Sequence, residues 1–263
     1  MRRFTGRLRE QLGDEVRDLV PETFPGWEAA LRFVVRLAQE SPLLVVIDEA
    51  PRLASGGTDF ADVVSAVWEN TVRGQRLMLV LTGSAVAVMK ETLGPHGGLH
   101  RRADVERRMD PFPLVDAARF QPGMPAETLL EAYAACGGYP LHLRRWRPDL
   151  STEENLGELA FTPGGLLLRD APDILSEDLD WRGGYDRVLT AMAGGARRRS
   201  RIAGRAQQRI DYTLDRLRRA GYVRAVRPLA AGRSADPMYE IADTCLAYWF
   251  AVLRDDADLI EGG

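Results

Sequence analysis

The chain has 263 residues, of which 45% are hydrophobic and 28% charged, and its formal net charge is −3. This composition is typical of a globular protein, and it excludes a membrane span because no apolar run approaches the roughly 20 residues that such a helix requires. The charged N-terminus lacks the apolar stretch of a secretory signal. Because Cys136 and Cys245 match no metal-binding spacing, we interpret them as buried thiols and expect a cytoplasmic protein.

The first half of the chain is predicted to contain helices followed by a strand–helix–strand unit. Apolar residues recur at helical spacing over residues 7–40. Continuous apolar runs at Leu43–Ile47 and Leu77–Leu81 predict two parallel strands buried on both faces. An apolar stripe over Asp59–Val72 predicts the helix between them, so the three elements form a βαβ unit.

The second half is predicted to be helical and to end in a β-hairpin. Helical patterns cover Asp116–Phe120 and Ala126–Ala135, whereas residues 149–181 are acidic, contain proline and glycine, and are interpreted as a connection between domains. Further helices are predicted at Tyr185–Gly194, Ser200–Ala206 and Gln207–Ala220. The strands of the hairpin are predicted at Tyr222–Pro228 and Pro237–Ile241. We therefore predict an α/β chain with a core at 1–115, a helical lid and linker at 116–181, a third domain at 182–254 and a tail at 255–263.

Two consecutive carboxylates follow the first predicted strand. Asp48 and Glu49 come directly after Leu43–Ile47, and ligands of open α/β sheets bind at the carboxyl ends of the strands. In phosphate-transferring enzymes such a pair can hold Mg²⁺ and activate water. The alternative is that Asp48 caps the following turn and Glu49 is only solvated.

A small hydroxyl follows the second predicted strand. Leu77–Leu81 is succeeded by Thr82-Gly83-Ser84, so a hydroxyl is expected beside the acidic pair if the strands are parallel neighbours. Ser84 could then sense a phosphate or position water, and it could also cap the helix that begins at Ala85.

The lysine-containing phosphate loop is missing from the sequence. Lys90 is the only lysine among the 35 basic residues, and no glycine loop precedes it. Since the G-x-x-x-x-G-K-[ST] pattern is needed to grip nucleotide phosphates, we expect this chain alone to bind ATP weakly or not at all.

Seven short motifs, in their order and spacing, resemble the archaeal-type ATPase family, a branch of the P-loop NTPases allied to the AAA+ and STAND groups. They lie between Phe24 and Phe250, at Phe24–Leu31, Val46–Leu53, Leu81–Ser84, Met109–Phe112, Gly137–Leu143, Tyr239–Asp243 and Ala247–Phe250. The resemblance implies a nucleotide-dependent switch with ATP and Mg²⁺ as ligands. It implies Asp48 as the metal residue, Glu49 as the water-activating base and Ser84 as the sensor.

The same resemblance suggests two arginines near the nucleotide and shows differences at both ends of the chain. Arg101 and Arg102 lie where such proteins often carry arginines close to the nucleotide, although a solvated pair is the alternative. Family members normally have a strand and phosphate loop before residues 7–19, and a further domain after the equivalent of Phe250. We interpret the chain as a fragment, a mis-started product or a degenerate relative. In the family's sheet the missing strand borders Leu77–Leu81, so we expect an exposed edge open to a protein partner or to self-association.

The C-terminal part of the chain is strongly basic. Residues 185–233 contain 13 arginines and three acidic residues, a balance of +10, so the rest of the chain carries −13. Three predicted helices and a hairpin resemble the family's winged helix-turn-helix, whose third helix enters the DNA major groove.

The winged-helix interpretation predicts specific contacts with double-stranded DNA. The residues expected at base edges or phosphates are Arg205, Gln207, Gln208, Arg209, Tyr212 and Arg233. Alternatively, this domain only packs on the acidic remainder of the chain. Three functions therefore stay open: an ATPase-type switch with impaired hydrolysis, a non-enzymatic DNA-binding or regulatory module, and a subunit completed by a partner chain.

Overall fold

A computed structural model of the protein describes residues 1–54, 60–69, 76–179, 184–227 and 236–262. The chain divides into two compact units, Met1–Arg107 and Arg108–Gly263, called here the N-terminal and C-terminal units. The sequence placed the first domain boundary at residue 115, inside what the structure groups as the C-terminal unit. Within the described ranges, no helix is long and apolar enough to cross a membrane.

The N-terminal unit contains a small parallel sheet with helices on one side. Its elements in chain order are α1 (Arg2–Gln11), α2 (Asp14–Arg17), α3 (Trp27–Glu40), β1 (Leu43–Ile47), α4 (Pro51–Ala54), α5 (Phe60–Val67), β2 (Leu77–Leu81) and α6 (Val86–Leu93). Strands β1 and β2 pair in parallel, with Ile47 opposite Leu81. This pairing confirms the predicted strands, their direction and the helix between them.

The two faces of this sheet have different surroundings. Ile47 and its alternate neighbours face a core that includes Leu31 of α3 and Val64 of α5. On the other face Leu44 and Met78 are each 64% exposed and Val46 is 56% exposed. The prediction of strands buried on both faces is therefore wrong, because the described helices cover one face only. Within the described residues, each strand also pairs on one edge only.

The C-terminal unit is mostly helical. Its elements are α7 (Leu114–Ala117), α8 (Ala126–Cys136), α9 (Pro140–Arg145), α10 (Thr152–Leu159), α11 (Leu166–Asp178), α12 (Tyr185–Ala193), α13 (Arg199–Ala206), α14 (Asp211–Ala220), β3 (Val223–Val226), β4 (Met238–Ile241), α15 (Thr244–Tyr248) and α16 (Ala257–Gly262). A 3-10 turn at Ala118–Phe120 follows α7, and a π turn at Trp249–Leu253 with a 3-10 turn at Arg254–Asp256 joins α15 to α16.

The segment 149–181, which the sequence indicated as a connection, contributes two helices to the core of the C-terminal unit. Leu167 and Leu175 of α11 have no exposed surface, and Leu168 is 3% exposed. These side chains recur at helical spacing and pack with α12 and α14 in one continuous cluster. The prolines and glycines of the segment lie mainly between α10 and α11, so they separate two helices rather than two domains.

The Gly137-Gly138 pair ends α8 and lets two segments of backbone approach each other. Gly137 has a φ of +62°, a left-handed conformation that glycine adopts without strain. A Cβ atom on Gly138 would lie 2.0 Å from the carbonyl oxygen of Phe112. The Phe112 amide donates a 2.8 Å hydrogen bond to the Gly138 carbonyl. This motif therefore has a structural explanation inside the C-terminal unit.

The arrangement of the last helices differs from the predicted one at a single turn. Helix α13 ends at Ala206, and Gln207 has a φ of +53°, which turns the chain before α14 begins at Asp211. The prediction of one helix from Gln207 to Ala220 is therefore wrong at its start. Strands β3 and β4 pair antiparallel, which confirms the predicted hairpin. Residues 228–235, which include Arg233 and the predicted hairpin turn, lie outside the described residues.

Candidate functional site

The acidic pair and the hydroxyl-bearing turn meet at one end of the two-stranded sheet. Because Ile47 of β1 is paired with Leu81 of β2, Asp48 leaves its strand beside Thr82. The backbone continues this pairing, since the Thr82 amide donates to the Ile47 carbonyl at 3.0 Å. The structure thus brings together the residues that the sequence placed at two separate strand ends.

Asp48 is an exposed carboxylate with one occupied oxygen. Its Oδ1 accepts a hydrogen bond from the Thr82 hydroxyl and another, 3.1 Å long, from the Glu49 amide. Asp48 itself lies at the surface. The remaining oxygen, Oδ2, receives no hydrogen bond from the residues that the structure describes, and it is therefore accessible to a ligand.

Glu49 adopts a left-handed backbone conformation with a φ of +54°. Such a conformation costs a non-glycine residue about 1–2 kcal/mol, and strain of this kind is concentrated at functional sites. The Glu49 carboxylate accepts a 3.1 Å hydrogen bond from the Ser84 hydroxyl, and Arg52 Nε lies 3.6 Å from the same oxygen, Oε2. The turn thus directs the two acidic side chains to different hydroxyl groups.

A tight backbone contact holds the two turns together. The Ala50 amide donates a 2.8 Å hydrogen bond to the Thr82 carbonyl. A Cβ atom on Gly83 would lie 2.6 Å from ring carbons of Pro51, so only glycine fits between these turns without rearrangement. The sequence predicted a role for Ser84 but none for Thr82, Gly83 or Arg52. Thr82 was visible as a second hydroxyl at the end of the same strand, whereas the contacts of Gly83 and Arg52 depend on tertiary structure.

The donor set of this site suits a hard divalent cation. Mg²⁺ is usually bound by one or two carboxylates together with water and phosphate oxygens. Asp48 offers one carboxylate oxygen that has no hydrogen bond among the described residues, while the Thr82 hydroxyl donates to its other oxygen. Among the described residues, no group of three or more His, Cys, Asp or Glu side chains could form a protein-only metal cage. A single exposed carboxylate of this kind fits a Mg²⁺ ion whose other ligands are water or phosphate oxygens.

The two candidate nucleotide-sensing arginines have different environments. Arg102 donates to the Ser65 hydroxyl at 3.2 Å and to the His100 carbonyl at 3.1 Å, and it also pairs with Glu69. The Arg102 guanidinium is therefore occupied by contacts within the N-terminal unit. Arg101 is exposed and has a φ of +57°, so its backbone is strained while its side chain faces solvent.

A second group of candidate residues lies around the turn between α13 and α14. Gln208 donates a 2.8 Å hydrogen bond to the Gly184 carbonyl, and Arg205 binds the Gly194 carbonyl. Both side chains therefore contact backbone of the α12 region. Gln207 and Arg209 are exposed within the turn, and Tyr212 is 71% exposed in the first turn of α14.

The arginines of this region differ in their ion pairing among the described residues. Arg199 pairs with Asp211 and Arg219 with Asp215. In contrast, Arg198, Arg201 and Arg209 are among the exposed arginines that have no carboxylate partner within the part of the chain that the structure describes. Unpaired, exposed guanidinium groups are the kind that contact phosphates.

A cysteine, a histidine and an aspartate also lie together, in the C-terminal unit. Cys245 Sγ lies 3.7 Å from His142 Nδ1, and His142 Nε2 lies 2.8 Å from Asp170 Oδ2. Burial, followed by the charge of Asp243, raises the pKa of the Cys245 thiol well above its usual value. Cys245 is 2% exposed and His142 1% exposed, so both side chains are buried in the core, where a thiol is typically unreactive.

Comparisons with known proteins identify the class of fold. No protein-family model matches the chain, and no curated protein matches it. Among solved structures, the Walker-type ATPase PABY2304 of Pyrococcus abyssi matches with a TM-score of 0.63 and 19% sequence identity, over 95% of this chain and 75% of that chain. The chain therefore has a P-loop ATPase-like fold.

Proposed function

We propose that the N-terminal unit supplies the metal-holding and water-activating carboxylates of an ATPase-type nucleotide switch. Asp48 holds Mg²⁺, Glu49 is the base, and Ser84 is the hydroxyl that senses phosphate. The observation that carries this proposal is the meeting of Asp48 and Glu49 with Thr82 and Ser84 at the carboxyl end of paired parallel strands. A P-loop ATPase-like fold supports it.

The side chains divide the chemistry between them. Mg²⁺, when bound, supplies positive charge to the phosphate oxygens. The free oxygen of Asp48 provides its attachment point. The Glu49 carboxylate can accept a proton from water, and the Ser84 hydroxyl, 3.1 Å away, keeps that carboxylate oriented. Arg52, 3.6 Å from the same oxygen, forms an ion pair with that carboxylate.

The sequence contains no recognisable motif for binding the phosphates of ATP. The sequence contains one lysine, Lys90, and no G-x-x-x-x-G-K-[ST] pattern. We therefore expect weak binding of Mg-ATP by this chain alone and little hydrolysis, with phosphate contacts supplied by another chain or segment.

Divalent-cation binding tests the assignment of Asp48. Mn²⁺ is titrated into the full chain while the relaxation rate of water protons is recorded, and the same titration is made with Asp48→Asn. We expect the substitution to remove the specific binding component. Glu49→Gln serves as the control, because Glu49 is assigned to water rather than to the metal. Equal Mn²⁺ binding by the native chain and Asp48→Asn would contradict the proposal.

A second candidate function is binding of double-stranded DNA by a winged helix formed by α12, α13, α14 and the β3–β4 hairpin. The specific observation in its favour is that exposed arginines, including Arg198, Arg201 and Arg209, have no ion-pair partner among the described residues. Because the side chains of Arg205 and Gln208 bind backbone carbonyls, we assign the phosphate contacts to the unpaired arginines, and base contacts to Gln207 and Tyr212.

Salt dependence distinguishes a DNA site from a merely basic surface. Affinity for a duplex is measured by fluorescence anisotropy across a series of NaCl concentrations. Replacing Arg201 by Gln should lower the slope of log affinity against log salt by about 1, as expected for one phosphate contact. Arg144→Gln, at another exposed arginine of the C-terminal unit, should leave the slope unchanged. The absence of duplex binding at low salt would reject this function.

A further inference from the structure

The geometry points to Thr82 as the residue that positions the metal-holding carboxylate, a role distinct from that of Ser84. This inference rests on the proposed function of Asp48 and concerns a residue that acts through Asp48 rather than on the ligand. Thr82 is thus a positioning residue, and its hydroxyl decides which oxygen of Asp48 faces a cation.

The hydrogen bonds of Asp48 carry the argument. Oδ1 accepts from two donors, the Thr82 hydroxyl and the Glu49 amide. Two donors on one oxygen fix the plane of the carboxylate. They also leave Oδ2 as the oxygen without a hydrogen bond among the described residues. A hard cation can bind there without displacing either donor.

The position of the Thr82 hydroxyl is set by the sheet itself. The Thr82 amide donates to Ile47 at 3.0 Å, and the Thr82 carbonyl accepts from Ala50 at 2.8 Å. These bonds extend the β1–β2 pairing on both sides of Asp48. The threonine backbone is therefore held independently of its side chain, so removal of the hydroxyl should leave the turn in place.

The two hydroxyls of the Thr82-Gly83-Ser84 turn serve different carboxylates. Thr82 binds Asp48, whereas Ser84 binds Glu49 through Oε2 at 3.1 Å. Gly83 permits this separation because a side chain there would collide with Pro51. The metal residue and the base can consequently be perturbed one at a time, which makes the assignment testable.

The test compares Thr82→Val, which has nearly the same shape without the hydroxyl, with Thr82→Ser, which keeps it. Mn²⁺ affinity of the full chain is measured by water-proton relaxation, without nucleotide. Loss of a group that orients a metal ligand typically lowers affinity by roughly 10- to 100-fold. We expect such a loss for Thr82→Val and native affinity for Thr82→Ser. Thr190→Val is the matched control, because that hydroxyl binds the backbone carbonyl of Asp186 in the other unit.

Each outcome supports or overturns the role of Thr82. Native affinity in Thr82→Val overturns it, and an equal loss in Thr82→Val and Thr82→Ser also overturns it, since the hydroxyl is then not the cause. If Thr82→Val does not fold, as judged by circular dichroism, Thr82→Ala replaces it with the same expected loss. A failure of the proposed function is distinguished by Asp48→Asn: Mn²⁺ binding that is unchanged by that substitution removes Asp48 as the metal residue, whatever Thr82 does.

Discussion

The two units use similar apolar residues but enclose them to different extents. In the C-terminal unit, helices surround a core in which Leu143, Leu175 and Leu217 have no exposed surface. In the N-terminal unit, a sheet of equally apolar strands leaves Leu44 and Met78 64% exposed on one face. Apolar sequence therefore does not by itself produce burial, since burial requires a second layer on each face.

Shortening a core side chain is expected to give the largest change in the free energy of unfolding. It should also show the difference between the two units most clearly. Leu175→Ala should lower the free energy of unfolding by about 2–5 kcal/mol, because it leaves a cavity in a closed core. Leu44→Ala, the same change on the exposed sheet face, should stay within about 0.5 kcal/mol. Urea unfolding monitored by circular dichroism measures both. A similar loss for the two variants would mean that the sheet face is covered in solution.

Two glycines of the C-terminal unit provide a second comparison. One lies against neighbouring backbone, and the other has open space beside its Cα atom. Gly138→Ala would place a Cβ atom 2.0 Å from the Phe112 carbonyl oxygen, so we expect a loss of about 1–3 kcal/mol. Gly157 lies within α10, where an added Cβ meets nothing within 4 Å. Gly157→Ala should therefore stabilise by about 0.5–1 kcal/mol. Thermal unfolding of the two variants should shift in opposite directions, and shifts of the same sign would contradict the close approach at Gly138.

The strained turn of the N-terminal unit should respond differently to glycine and alanine. Because Glu49 has a φ of +54°, Glu49→Gly should be more stable than Glu49→Ala by about 1 kcal/mol. Both variants lose the carboxylate, so the comparison isolates the backbone. The measurement is the urea midpoint of each variant. A more stable alanine variant would show that the turn relaxes out of the left-handed region.

The smallest predicted effect concerns a buried thiol and alkaline pH. Burial raises the pKa of Cys136 from its usual 9.0 to about 12. Because the folded state keeps the proton that the unfolded state releases, this contribution to stability is complete below pH 9.0 and decreases as the pH rises toward 12. Between pH 8 and pH 9.5 the loss is below about 1 kcal/mol for this group.

The free energy of unfolding of Cys136→Ala should therefore fall less between pH 8 and pH 9.5 than that of the native chain. This holds whatever the stability of the variant at pH 8. Urea unfolding at the two pH values measures the difference. Cys245→Ala offers a parallel case, since burial also raises the pKa of that thiol. Equal pH dependence in the native chain and in both variants would indicate that the thiols are ionised in the folded state or exposed to solvent.

Local patterns predicted the elements that lie close together in sequence. The apolar runs at Leu43–Ile47 and Leu77–Leu81 specified two strands, and both form as predicted. Helices α8, α12 and α13 of the C-terminal unit followed from apolar spacing, whereas α10 and α11 formed in a segment interpreted as a connection, and Gln207 turns the chain before α14. That turn was missed because a single left-handed glutamine has no signature in the apolar pattern.

The candidate site could be predicted only in part. The sequence placed Asp48, Glu49 and Ser84 at strand ends, and the parallel pairing brings them together. It did not predict that Thr82 binds Asp48 while Ser84 binds Glu49, because that division depends on the register between strands. The contacts of Arg102 with Ser65 and Glu69 were equally inaccessible, since those residues lie more than 30 positions away.

The sequence by itself determined the strands, most helices and the acidic pair after β1, because short-range periodicity and residue chemistry specify them. Only the tertiary structure decided which hydroxyl serves which carboxylate, which arginines remain unpaired and which sheet face is covered. These properties depend on contacts between residues distant in sequence, and such contacts are selected by the packing of the whole unit rather than by any local pattern.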